Sequence, residues 1–212
     1  VTLEDDLRRR DLTINAMAMT DDNSIIDPFG GQQDLQQQQL RHVSEAFGED
    51  PVRIVRAARF AAQLPDFHIH PETMALMQAM VKTGEVKHLL PERLWKECDK
   101  AMHAQAPWRF FEVLKDVGLL TELASGIEIA WQDLQTTCAA SDKATIRFAC
   151  AWHHGTPDTV KTLCQAWRAP KRYAALAILL SAHHDDLHNI PKAKGALATL
   201  QQCDAFRRPK RF

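Results

Sequence analysis

Glycine is scarce in this chain. Eight glycines among 212 residues are too few for an all-β sandwich with many tight turns, and the abundant alanine and leucine favour helices. Long apolar runs are missing too. The longest, residues 173–180, has eight members, far short of the eighteen or so a transmembrane helix needs. The five cysteines (98, 138, 150, 164 and 203) are odd in number, widely spaced and form no CxxC pair. They fit neither a disulfide framework nor a zinc ribbon, and imply buried free thiols in a reducing cytoplasm. The opening Val1-Thr2-Leu3-Glu4-Asp5-Asp6 lacks an initiator Met, a basic region and an apolar core. It is no signal peptide, and the expectation is a piece of a longer chain.

What is present is ordinary for a globular protein: 45% hydrophobic and 25% charged residues, and enough length to bury a sizeable core. The net charge of −1 conceals an asymmetry. Residues 1–60 hold 7 Arg, no Lys and 11 acids, whereas residues 161–212 hold 10 Lys and Arg against 3 acids. A basic C-terminal part suits a nucleic-acid backbone, and it equally suits a solvated surface.

Residues 1–11 are charged and helical in character, and 12–19 are mostly apolar. Ser24-Ile25-Ile26-Asp27, stopped by Pro28 and Gly30-Gly31, is the one convincing strand. A single strand makes no sheet, so its partners are expected outside this chain. From Gln33 onward the pattern is helical. Glu49-Asp50-Pro51 is a strong helix start, and helices are expected over 52–64, 71–81, 91–104, 108–117, 144–153, 159–167, 171–184 and 192–203.

Three segments could carry chemistry. In Glu49-Asp50-Pro51-Val52-Arg53-Ile54-Val55-Arg56-Ala57-Ala58-Arg59-Phe60, Asp50 and three arginines recur every third residue. At 3.6 residues per turn this makes a slowly drifting stripe along one helix face. Such a stripe can be a solvated face with weak i,i+3 pairs. Here, however, every cation is Arg, whose planar fork suits phosphates and base edges. An aspartate accepts from an exocyclic amine while a neighbouring Arg donates to a ring nitrogen. That combination reads cytosine and adenine and opposes uracil in polarity, a discrimination of about 1–3 kcal/mol for a good bidentate contact. The second segment is Arg8-Arg9-Arg10-Asp11-Leu12-Thr13-Ile14-Asn15-Ala16. The third, Ile26-Asp27-Pro28-Phe29-Gly30-Gly31-Gln32-Gln33-Asp34-Leu35, reads as strand, turn and helix start.

Together and in this order, these segments resemble the class II bacterial tRNA nucleotidyltransferase family, which comprises CCA-adding enzymes and poly(A) polymerases. Residues 9–16 match its RRDxTINA motif, and Asp27-Pro28, Gly30-Gly31 and Asp34-Leu35 match its DP-GG-DL segment. Residues 49–60 match EDxxRxxRxxRF in full, and residues 89–97 match LxPERxWxE. The resemblance covers residues 1 to about 100. It implies that Asp50 and Arg53 select C or A. It implies that Arg10, Arg56 and Arg59 bind the incoming nucleotide and its phosphates, and that Asp11 and Asn15 shape the sugar and base pocket. Glu49, Glu92 and Arg93 would support the motif helix. The substrates implied are ATP, CTP and tRNA, with Mg2+ bound by carboxylates of the head.

The chain departs from the family pattern in three ways. The Gly-Gly and Asp-x-Asp segment that precedes the first motif is absent, and the adjacent pairs Asp5-Asp6 and Asp21-Asp22 do not replace it. No catalytic residue is therefore assigned here, and these residues alone are expected not to catalyse. Where many relatives carry the His-Asp pair of an HD phosphohydrolase domain, this chain has His153-His154, with His183-His184-Asp185 as a weak echo. That reads as a degenerate domain with no metal site. Third, the sequence stops in a basic stretch, residues 206–212.

The expected fold is mainly α: residues 1–31 as the remnant of an α/β nucleotidyltransferase head, 32–120 as helical neck and body, and 121–212 as a divergent helical tail facing tRNA. The expected function is CCA addition to tRNA 3′ ends in the cytoplasm by the parent enzyme, with no membrane partner. A poly(A) polymerase or A-adding enzyme, and a non-catalytic RNA-binding helical module, are the alternatives.

Overall fold

A computed structural model describes residues 2–124, 126–188 and 207. The fold is mainly helical. The first helix, α1 (Leu3–Arg8), is set by a reciprocal capping box between Thr2 and Asp5. A 3-10 turn (Thr13–Asn15) leads to a short hairpin of β1 (Ala18–Met19) and β2 (Ile25–Ile26), paired antiparallel. This corrects the expectation that the Ile25-Ile26 strand pairs outside the chain. Its partner lies seven residues upstream, in a stretch whose Met17-Ala18-Met19 has no strand alternation to show.

After α2 (Gly31–Gln36), a second small sheet pairs β3 (Gln39–Leu40) in parallel with β4 (His68–Ile69). The purely helical reading beyond Gln33 is thereby corrected too. These strands are two residues long and are held by contacts distant in sequence, so no local period announces them.

The remaining helices are α3 (Val52–Gln63), α4 (Pro71–Thr83), α5 (Pro91–Met102), α6 (Pro107–Asp116), α7 (Leu119–Leu123), α8 (Trp131–Ala140), α9 (Ala144–Trp152), α10 (Pro157–Ala166) and α11 (Lys171–His188). Proline at the first turn starts α4, α5, α6 and α10, where its missing N–H costs nothing. Gly84, at φ +83°, ends α4 and returns its N–H to Met80 and Val81. Two helices were unexpected. α7 is too short to show a period, and α8 buries fully only Leu134. The expected helix over 192–203, Cys203 and the stretch 206–212 apart from Arg207 lie outside the described residues.

α3 is the central element. Its buried face, Val52, Ile54, Val55, Ala57, Ala58, Ala61 and Ala62, packs on α5 and α6. The small alanines let α6 approach with Phe110 and Phe111, both fully buried. Burying a side chain such as Ile54 contributes about 1.5–3 kcal/mol.

A network of edge-to-face rings continues the core toward α11. Phe111 meets Trp152 at 5.4 Å and Trp152 meets Trp167 at 5.4 Å, while Trp95 meets Tyr173 at 4.8 Å. One cluster of buried side chains runs from Leu12 to Ala177. Arg147, 7% exposed, ties this region together. Its guanidinium donates to the carbonyls of Met102 (2.9 Å), Ala104 (3.0 Å) and Ser141 (2.8 Å). Cys98, Cys138, Cys150 and Cys164 are free thiols, each pushed up by burial, Cys164 to about 11. Among the described residues no helix is long and apolar enough to cross a membrane.

Candidate functional site

The segment after α1 crosses the N-terminal half of α3, and the first turn of α5 closes on it from the other side. Between them lies an open cleft of about 230 Å³ lined by Arg9, Arg10, Asp11, Asp50, Val52, Arg53, Arg56 and Arg93. Five guanidinium groups face two carboxylates there, an excess of positive charge suited to a polyanion.

Asp50 sits where a 3-10 turn (Glu45–Glu49) delivers the chain to α3. Its Oδ1 accepts from the Val52 amide at 3.1 Å and from Arg93 Nη1 at 3.1 Å, and its Oδ2 accepts from Arg93 Nη2 at 2.8 Å. An ionised carboxylate has about four acceptor positions, so this clamp fixes the group and leaves Oδ2 able to accept once more. One turn along α3, Arg53 Nη2 donates to the Arg9 carbonyl at 2.8 Å. Its Nη1 is shielded from solvent and has no hydrogen-bond partner, a donor left unspent at the cleft.

Asp11 is buried at 5% exposure, on the floor. Its Oδ2 accepts from Arg56 Nε at 2.7 Å and its Oδ1 from Asn15 Nδ2 at 3.2 Å. Burial alone would raise this carboxyl, but the Arg56 and Asn15 contacts outweigh it and hold it below the usual carboxylate range. Burial would lower Arg56, and Asp11 raises it instead. Asp11 and Asn15 thus form the base on which Arg56 is aimed. Arg10 is exposed at the rim and pairs with Asp6 at 2.9 Å.

Arg59 is not in the cleft. Each three-residue step on a helix with 3.6 residues per turn drifts by about 60°, so Arg59 is turned about 120° from Arg53. It is buried, with Nε 2.5 Å from Glu97 Oε2 and its plane over the Phe60 ring at 3.8 Å. The expectation that Arg59 meets phosphates is corrected: its fork is occupied by Glu97 and Gln63.

Glu92 does not brace α3 either. It is solvent-exposed and lies 3.7 Å from Arg168. Glu97, 4% exposed and also held by Lys100 at 3.1 Å, has that place. Glu49 is exposed at the end of its turn, and Arg93 acts directly on Asp50. The residues the sequence reading missed are Arg9, whose carbonyl positions Arg53, and Glu97. Glu97 ends the LxPERxWxE match and stands at the right spacing to share a face with the buried Leu94 and Cys98.

Behind the cleft, the third sequence segment acts as a buckle. Asp27 accepts from the amides of Gly31 (2.7 Å) and Gln32 (2.9 Å), starting α2. Asp34, buried in α2, accepts from Thr13 Oγ1 at 2.6 Å and from Arg41 Nε at 3.2 Å. Residues 13–15, which include the Asn15 partner of Asp11, are thereby fixed against α2.

The Mg2+ that the resemblance implies does not fit here. Asp11 and Asp50 are matched to Arg56 and Arg93. Asp5 is spent in the Thr2 capping box, Asp6 on Arg10, and Asp22 on Thr20 and Ser24. Among the described residues no carboxylate pair facing the cleft is left for a divalent ion.

Two family models match the chain: "Poly A polymerase head domain" over residues 1–41, and "Probable RNA and SrmB- binding site of polymerase A" over residues 66–129. The chain is 43% identical to a multifunctional CCA protein from Nitrosococcus oceani, covering all of this chain and 62% of that protein. It is 44% identical to a CCA-adding enzyme from Coxiella burnetii, covering all of this chain and 58% of that protein. Among solved structures, a tRNA-processing enzyme with CTP superposes at a TM-score of 0.78 and 25% identity, over 95% of this chain and 62% of that one. The chain thus spans about 60% of the length of the curated relatives it matches. The motifs, the fold and these matches agree in their likeness to tRNA nucleotidyltransferases and poly(A) polymerases.

Proposed function

We propose that this chain is the nucleotide-selecting and RNA-facing part of an enzyme that adds C, C and A to the 3′ ends of tRNA from CTP and ATP, without a nucleic-acid template, in the cytoplasm. The observation that carries the reading is the pairing at the cleft of a clamped acceptor, Asp50, with an unspent donor, Arg53 Nη1. The exocyclic amine of cytosine or adenine donates to Asp50 Oδ2 while the ring N3 or N1 accepts from Arg53. Uracil and guanine present a carbonyl and an N–H on that edge, so both contacts are reversed in polarity and a buried donor stays unpaired. Arg56, held on Asp11, and the exposed Arg9 and Arg10 are available to the triphosphate.

In the reaction the tRNA 3′-hydroxyl attacks the α-phosphorus, a new O3′–P bond forms, the bond to the β-phosphate bridge breaks and pyrophosphate leaves. The residues described here bind and orient the nucleotide for that displacement, and no proton or metal step is assigned to them. A chain that is 40–44% identical to proteins named CCA-adding enzyme or multifunctional CCA protein supports this reading.

The test is incorporation by the complete polypeptide that carries this chain. The substrate is tRNA lacking its 3′ end, with one labelled nucleotide triphosphate at a time. Two C followed by one A is expected, and Arg53→Ala should abolish the preference over U and G. Incorporation of A alone would move the protein to the poly(A) branch. tRNA binding with no incorporation would leave only an RNA-binding scaffold.

A further inference from the structure

A contact outside the cleft ties its floor to α4. The chain leaving β3 runs beside the segment that carries Asp11. Leu12 and His42 form an antiparallel bridge, the Thr13 amide donates to the Arg41 carbonyl at 2.9 Å, and the Val43 amide donates to the Asp11 carbonyl at 3.3 Å. Arg41 holds this strand to α2 through Asp34, and His42 holds it to α4. The His42 amide donates to Thr73 Oγ1 at 2.9 Å, and His42 Nδ1 lies 2.8 Å from the same oxygen. Thr73 stands in the first turn of α4 and is fully buried. The His42 ring also packs edge-on against the buried Phe47 at 5.9 Å, which fixes its plane. Neither His42 nor Thr73 lines the cleft.

The protons in this contact can be counted. Thr73 Oγ1 accepts from the His42 amide, so its single proton is available to Nδ1, and among the described residues it makes no other hydrogen bond. The count closes with a neutral ring that carries its proton on Nε2 and turns the Nδ1 lone pair toward Thr73. A proton on Nδ1 instead aims two donors at one hydroxyl oxygen and leaves the buried hydroxyl proton without an acceptor. We propose that His42 is a positioning residue for nucleotide binding: by accepting from the Thr73 hydroxyl it fixes the strand that holds Asp11, and Asp11 in turn aims Arg56 into the cleft. The inference rests on the reading above that the cleft takes a nucleotide, and it adds a dependence of that binding on acid.

The charged and titratable groups around the ring are Glu45 on the 3-10 turn before α3, His70 and Glu72 at the start of α4, and Arg41 on its own strand. Asp11, on the facing segment, is already matched to Arg56. Burial holds the imidazole below its ordinary range. His70 and Arg41 act in the same direction, and Glu45 and Glu72 oppose them without prevailing. The folded protein therefore favours the neutral ring. The contact is complete above the unfolded value of about 6.5 and is lost as pH falls through the folded value, which lies lower. Nucleotide binding weakens over that interval, while selection against UTP is retained because Asp50 and Arg53 stand on α3.

The experiment measures KM and kcat for CTP at about pH 7.5 and about pH 5.5. It uses the complete polypeptide that carries this chain, with tRNA lacking its 3′ end. Wild type is compared with His42→Asn, whose side-chain oxygen replaces Nδ1 as an acceptor and takes up no proton in this range. The comparison cancels the titration of the triphosphate and of every group the two proteins share. Between the two pH values the wild-type KM should rise about three- to tenfold more than that of His42→Asn, the worth of one hydrogen bond, with kcat little changed. Thr73→Val should raise KM to a similar degree already at pH 7.5, and Thr73→Ser, which keeps the hydroxyl, should restore the wild-type profile. His88→Asn, at an exposed histidine outside this contact, should keep that profile too. Far-UV circular dichroism at both pH values confirms that each variant is folded. The proposal is overturned if wild type and His42→Asn follow one pH profile, or if Thr73→Val leaves KM at its wild-type value. Either result leaves the nucleotide reading standing, because saturation by CTP at pH 7.5 tests that reading by itself. No saturation there would overturn both.

Discussion

Arg93 holds both carboxylate oxygens of Asp50 with its two terminal nitrogens, at 3.1 and 2.8 Å, across the mouth of the cleft. The two residues are 43 positions apart, so the first turn of α5 sets the aim of a group at the start of α3. Both side chains are partly exposed, and the pair adds at most about 1 kcal/mol to stability. If Asp50 reads the base edge as proposed, the value of the pair is directional, since an unclamped Asp50 is free to rotate away from that edge. Arg93→Ala is therefore expected to leave the melting temperature nearly unchanged. It should reduce discrimination of CTP and ATP over UTP by about tenfold or more, since base contacts of this kind carry about 1–3 kcal/mol. Competition between labelled nucleotides at equal concentration reads this directly, and unchanged selectivity would remove Arg93 from the selecting machinery.

Glu97 makes the opposite prediction. It is buried with Arg59, and each side chain is less than a tenth exposed. Removing one partner of a buried pair leaves an uncompensated charge, which costs about 3–5 kcal/mol. Glu97→Ala should lower stability by that order in urea unfolding while leaving nucleotide preference intact in whatever fraction stays folded. A variant with normal stability and altered nucleotide choice would return Arg59 to the binding site.

These two cases show how much was legible. The segment 49–60 displays its charged stripe openly, and it identified α3 and the Asp50–Arg53–Arg56 face. The angular drift along that stripe was also implicit in the spacing, yet which arginine it turns inward depends on where α5 lies, a tertiary fact. Pro71 and Pro91 marked helix starts because proline fixes φ locally. The two-residue strands, α8 and the junction around Arg147 left no comparable mark. Arg147 looks like any helical arginine until three backbone carbonyls from two other regions converge on it. The pair His153-His154 was visible, but its meeting with Asp133 depends on α8, which the sequence did not reveal.

Asp11 gives a pH dependence with a definite sign. Burial raises its carboxyl, and Arg56 and Asn15 outweigh that, so the folded value lies below the unfolded one. Such a group adds stability that is complete above the unfolded value of about 3.9 and is lost as pH falls through the folded value. At pH 7, Asp11→Asn should cost about 1–2 kcal/mol, discounted because Arg56 is partly exposed. Below about pH 4 the wild-type urea midpoint should fall toward that of the variant. If the gap between them were the same at pH 3 and pH 7, the Asp11–Arg56 pair would not be contributing.

Gly31 links the buckle to the cleft. A β-carbon there would stand 2.3 Å from the Thr13 carbonyl oxygen and 2.9 Å from Met17 Cγ. The side chain of Met17 can move, but the Thr13 backbone is held by its own hydroxyl on Asp34 and by its amide on the Arg41 carbonyl at 2.9 Å. Gly31→Ala must therefore push α2 off the 3-10 turn, at a cost of about 1–3 kcal/mol or more. The displaced turn carries Asn15, and through it the orientation of Asp11 and Arg56. The expected result is a higher KM for both CTP and ATP alongside the lower melting temperature, with selectivity against UTP retained because Asp50 and Arg53 stand on α3. Gly30→Ala, where a β-carbon meets nothing within 4 Å, is the control. It carries only the strain of φ +75° and should raise KM little. Equal KM values for Gly31→Ala and the wild type would mean that the turn holds Asp11 without help from α2.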